Sequence, residues 1–242
     1  MRVNEPEIML RADRIVETTE ILSQRILERF PASGLYHVSC ELVALARKAE
    51  RKAPTIGRPI YTLRVLVGLL MAVILAGGVV FTHSVIVRAD QVASADLPEL
   101  IEILEAGTNL VIIFGLVLFF LFSLETRMKR ARALRAIHQL RSVAHVIDMH
   151  QLVMDPDYYR GGIIATKHSP KRDLSLPLMM RYLDYCSESL SLTSKIAALY
   201  IRKFNDAVVL NAVSDVEVLC DGLSRKIVQK MMIGEDISTR SR

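Results

Sequence analysis

The chain has 242 residues, a hydrophobic fraction of 51%, a charged fraction of 24% and a formal net charge of +5. Its basic excess does not select nucleic acid, because it flanks two apolar runs: Arg47, Lys48, Arg51, Lys52, Arg58 and Arg64 precede the first, and Arg127, Lys129, Arg130, Arg132 and Arg135 follow the second. That placement is what the positive-inside rule requires, and it suits anionic headgroups.

Ile8, Ala12, Ile15, Thr19, Leu22, Ile26 and Phe30 recur at helical spacing, and the stripe closes at Pro31. A second helix is expected after Gly34, on Leu35, Val38, Leu42, Leu45 and Ala49, stopping before Pro54. Residues 54–59, with two prolines and a glycine, form an elbow that delivers the chain to the membrane. Residues 1–59 thus read as an N-terminal cytoplasmic pair of helices.

Residues 60–124 read as a transmembrane hairpin. The run 65–87 carries no Asp, Glu, Lys or Arg and lies between Arg64 and Arg88. A bilayer core of about 30 Å takes roughly 20 apolar helical residues. The run 110–124 reaches that length only if Ala106, Gly107, Thr108 and Asn109 lie in the interface. Between the runs stand Asp90, Asp96, Glu99, Glu102 and Glu105 against Arg88 alone. The lack of Lys and Arg there puts both chain ends in the cytoplasm and the connection outside, in the periplasm of a bacterium. The stretch ahead of Arg64 is too long for a cleavable signal peptide, so the first span stays in the protein. Asp96, Pro98 and Glu99 start a short interfacial helix that Gly107 should end.

Residues 125–242 read as a cytoplasmic helical domain. A rod from Glu125 to Val153 continues the second span without Pro or Gly, and residues 155–175 break the pattern. Leu176, Met179, Leu183, Leu190, Ala197 and Phe204 then form a stripe that Ser187 and Ser194 complete at the heptad spacing of a coiled coil. Asp206 caps the last helix, on Val209, Val213, Val216, Cys220, Leu223 and Ile227, and Gly234 ends it. The tight junction at Asn205 and Asp206 makes these two an antiparallel hairpin. No segment alternates at period two. The fold class is therefore an all-α membrane protein, a two-helix transmembrane hairpin with a cytoplasmic helical bundle.

Chemistry-bearing patterns are sparse. Three cysteines, Cys40, Cys186 and Cys220, form no CxxC pair, which excludes a zinc ribbon and a thioredoxin motif. GxGxxG, GxxxxGK[ST] and GxSxG are absent. The leading constellation is His138, Arg141, His145 and Asp148, whose steps of three, four and three share one helix face, with His150 close by. His138, His145, Asp148 and His150 are candidate metal ligands. The competing reading is a polar seam, with Arg141 and Asp148 paired across helices and the imidazoles half-buried, and Arg141 itself counts against a cation. In the spans, His83 lies shallow near Arg88, beside Thr82 and Ser84, while Gly68, Gly77, Gly78 and Gly115 permit close helix contact.

The functional expectation is an inner-membrane scaffold or regulatory and assembly subunit, non-enzymatic and without cofactor. It acts through its cytoplasmic domain on a protein partner, with the bilayer around its hairpin and other copies of itself as further partners. An oligomeric channel or transporter component ranks second, and a metal sensor or enzyme third.

Overall fold

A computed structural model describes residues 10–87, 97–161, 166–169 and 174–240. All regular structure among them is helical: α1 (Ala12–Arg29), α2 (Gly34–Ile56), α3 (Tyr61–Val87), α4 (Leu97–Leu152), a 3-10 turn (Pro156–Arg160), α5 (Leu176–Ala198) and α6 (Ala207–Arg240). The chain divides into two compact units, Met1–Gly57 with Arg130–Arg242, and Arg58–Lys129.

In the first unit, α1 and α2 are antiparallel. Ser23 and Ser39 share a hydrogen bond at 2.9 Å, and Arg47 reaches Glu20 at 2.8 Å. Leu22, Ile26, Leu35, Leu42 and Ala46 are buried. Phe30, at the end of α1, packs edge-on against Tyr182 and Tyr185 of α5, with centroids 5.3 and 6.1 Å away. From α4 the unit takes Ala133, Ile137, Leu140, Ala144 and Ile147, all buried. α5 and α6 form the expected antiparallel hairpin, with Gly234 late in α6 against Met180 and Leu176 early in α5.

α5 is buried on more than the expected seam. Met179, Leu183, Leu190 and Ala197 face the core as read, but Tyr182, Tyr185, Cys186, Ser189, Leu192, Thr193 and Ile196 do too. Small polar residues are tolerated because they bond their own helix: Ser189 donates to the Tyr185 carbonyl and Thr193 to the Ser189 carbonyl, each at 2.8 Å. The helix ends at Ala198, so Phe204 is not part of it, and residues 199–206 replace the tight junction.

Three expected helix stops fail, two of them for a packing reason. α2 continues through Pro54 to Ile56. The proline removes one ladder donor, but buried Ala53 and Ile56 hold the last turn. Gly107 does not separate a short interfacial helix from the second apolar run, because α4 is continuous from Leu97. Among the described residues only Gly161 has a positive φ, +80°, so Gly107 adopts helical backbone at a cost of about 1 kcal/mol relative to Ala. Gly234 lies inside α6, which runs on to Arg240 and buries Ile237. A Cβ at Gly234 would stand 2.4 Å from Met180 Sδ, so the glycine serves close packing. The break after α4 holds the 3-10 turn, capped by Asp155, whose carboxylate accepts from the Asp157 N–H. Asp90 and Asp96, with Arg88, lie outside the described residues.

Candidate functional site

The second unit carries the most unusual surface. α3 and the first part of α4 are long and apolar enough to cross a membrane, and none of their most apolar stretch is buried. Val79 is 69% exposed and Phe119 73%. The hydroxyls on these stretches satisfy themselves within their own helices: Thr82 donates to the Gly78 carbonyl at 2.8 Å, Ser84 to Val80 at 2.9 Å and Ser123 to Phe120 at 2.8 Å. Their burden in an apolar medium is thereby reduced. His83 and Asn109 are exposed.

An ion cluster stands at the end of the second apolar run. Glu125 accepts from Lys129 at 2.6 Å, from Arg64 at 3.2 Å and from the Ile60 N–H at 3.4 Å. The Lys129 ammonium, with help from Arg64 and that N–H, outweighs desolvation and holds the Glu125 carboxyl down at about 2. Within this unit Glu125 therefore joins the residues that enter α3 to those that follow the second run. Sequence reading missed this role, although Glu125 is the first acid after the run.

The four-residue constellation on α4 is not a half-buried seam. His138, Arg141 and His145 are exposed, and Asp148 is half-buried. Asp148 accepts from Gln151 Nε2 at 2.6 Å rather than pairing with Arg141. The spacing does put these residues together, but the neighbouring face, carrying Ile137, Leu140, Ala144 and Ile147, wins the core. His150 is half-buried, its imidazole against Gly34, and burial lowers its pKa. No group of three or more His, Cys, Asp or Glu side chains among the described residues is placed to hold a metal ion. Gln151, 1% exposed, is a buried polar residue that sequence reading overlooked. It continues the Ala144 and Ile147 stripe, and its backbone carbonyl accepts from Lys230 at 2.7 Å.

A concavity of about 980 Å³ runs between α1 and α5. Leu10, Ile15 and Leu192 provide its apolar part, and Arg14, Glu188 and Lys195 line it with charges of both signs. The strongly shifted groups of the first unit lie elsewhere and are shifted by burial. Burial pushes the Cys186 thiol up to about 12, the Cys220 thiol to about 11 and the Tyr200 phenol to about 12. Raised thiols of this kind are inert rather than nucleophilic. Cys40 is exposed.

Compared with known proteins, the chain matches no family model, no curated protein and no solved structure.

Proposed function

We propose that this chain is an integral inner-membrane protein that crosses the bilayer twice, through α3 and the first part of α4, and serves as a non-enzymatic scaffold or assembly subunit. The observation that carries the reading is that neither apolar stretch buries any of its most apolar window. A core helix of a water-soluble protein would bury them, and an exposed apolar surface of this extent needs lipid or a partner. The basic residues on either side of the pair, set against an acidic connection, support an orientation with both chain ends in the cytoplasm.

Association of copies through the hairpin belongs to the same reading. Among the described residues, nothing beyond the chain neighbours and the helix's own backbone lies within 4 Å of where a Cβ would stand on Gly68, Gly77, Gly78 or Gly115, so these positions are open to a second helix. The scaffold role rests on the first unit, where shifted groups are explained by burial and ion pairing rather than by convergence on a cleft. Its partner is a protein segment seated between α1 and α5, where Leu10, Ile15 and Leu192 offer apolar contact and Arg14, Glu188 and Lys195 set register.

A photo-crosslinking residue at Ser191, in that groove, tests the scaffold role in native membranes. The expected result is a discrete adduct that the same residue at Arg225, on the exposed surface of α6, does not give. Adducts of equal yield and identity at both positions, or none at Ser191, would remove the scaffold reading.

A further inference from the structure

Among the described residues, most arginines of the first unit are neutralised locally. Arg14 pairs with Glu17, Arg25 with Glu188, Arg47 with Glu20, and Arg130 with Asp206. Several cations of the unit have no ion pair among the described residues, and four of these converge on one concavity. Lys48 and Lys52 on α2, and Arg132 and Arg135 on α4, line a single cavity of about 480 Å³ whose lining includes no carboxylate. No ion pair joins any of the four to an acid among the described residues.

Helical spacing builds the cavity. Lys48, Lys52 and Thr55 lie at steps of four and three along α2, while Arg132, Arg135 and Gln139 lie at steps of three and four along α4. Lys48 Nζ donates to Gln139 Oε1 at 2.8 Å, tying the two rows together. Four like charges around one concavity repel one another, and low-dielectric walls focus their field. An anion seated among them relieves that repulsion, and the available donors are those that phosphate oxygens take: forked guanidinium groups and mobile ammonium groups.

We propose that this cavity is a binding site for a phosphate group, held by Lys52, Arg132 and Arg135, with Lys48 as the fourth cation. The site takes a phosphate mono- or diester by charge and hydrogen bonding, with no covalent step. In sequence, Lys52 and Thr55 stand just before the first apolar helix, and Arg132 and Arg135 just after the second apolar run. The headgroup of an anionic lipid is therefore the favoured source. Only that choice of source rests on the membrane reading; the site itself does not.

The test uses the full chain in neutral detergent, titrated separately with inorganic pyrophosphate, phosphatidylglycerol and phosphatidylcholine while thermal unfolding is followed. Wild type should be stabilised saturably by phosphatidylglycerol and by pyrophosphate, and not by phosphatidylcholine. The double variant Lys52→Gln/Arg135→Gln changes two exposed side chains and should unfold like wild type without ligand. Its apparent affinity should fall about tenfold or more, as expected when charge-assisted contacts are lost. A charge-matched variant, Arg51→Gln/Lys226→Gln, should keep wild-type affinity. A response to pyrophosphate alone supports the site and assigns it to a soluble phosphate compound. No response to either anion would overturn the proposal, as would equal responses from the two double variants. Failure of the membrane reading would show differently, as release of the protein from membranes at alkaline pH with pyrophosphate binding intact.

Discussion

Arg130 grips the Asp206 carboxylate through Nε, 3.0 Å from each oxygen, and through a terminal nitrogen at 2.8 Å, while Asp206 also accepts the N–H groups of Val208 and Val209 at 3.1 and 3.2 Å. One buried carboxylate thus ties α4 to the start of α6 and caps that helix. An N-cap is worth about 0.5–2 kcal/mol, and the pair adds less than a fully buried one because the Arg130 side chain is 38% exposed. Asp206→Ala should cost about 2–3 kcal/mol, with Asp206→Asn closer to 1 because it keeps a capping oxygen. Thermal unfolding checks the order, and equal losses would mean that the cap contributes nothing.

The same contact sets a pH dependence. The Arg130 hydrogen bonds lead the causes that hold the Asp206 carboxyl below its ordinary range, and Glu125 is held at about 2. Both folded-state values are depressed, so the associated stability is present above the unfolded values near 4 and is lost as pH falls through the folded ones. Wild type should therefore lose stability between about pH 4 and pH 2. In Asp206→Asn that slope should be shallower, which pH-dependent denaturation curves would show.

Two glycines should respond differently to a methyl group. At Gly57 a Cβ would meet the Lys203 carbonyl oxygen at 2.3 Å, and backbone yields poorly. At Gly234 it would meet Met180 Sδ at 2.4 Å, on a side chain that can swing away. Gly57→Ala should cost about 1–3 kcal/mol and Gly234→Ala less. Equal unfolding temperatures for the two variants would contradict these packing assignments.

The amphipathic stripes were legible because burial follows helical spacing. Every apolar position read on the last helix, from Val209 to Ile227, is in the core. Helix ends were not legible, because Pro54, Gly107 and Gly234 carry local preferences of about 1–3 kcal/mol that packing or helix continuity outweighs. Nor was the burial of Ser189 and Thr193, whose polarity is cancelled by bonds to their own helix. The spacing of His138, Arg141, His145 and Asp148 identified a shared face but could not show that α4 turns it to solvent. The basic pocket was half legible: its cations were visible as flanking charge, while their convergence depends on how α2 and α4 are packed.

The α4 face yields a discriminating set of substitutions. His138→Ala, Arg141→Ala and His145→Ala should shift stability by less than about 0.5 kcal/mol, since all three are exposed. Asp148→Ala should cost about 1–3 kcal/mol, because it strips an acceptor from the buried Gln151 amide. Chemical denaturation would show either this asymmetry or, if all four cost alike, a seam buried against another surface.

Cysteine accessibility in intact cells tests the membrane-spanning hairpin most directly. Cys40 is exposed on the first unit, whereas Cys186 and Cys220 are buried and should stay silent from either side. With Ser94→Cys placed in the acidic connection, a membrane-impermeant maleimide should label position 94 in spheroplasts and Cys40 only after permeabilisation. Labelling of Cys40 in intact spheroplasts, or of Ser94→Cys only after permeabilisation, would contradict a hairpin with both ends in the cytoplasm.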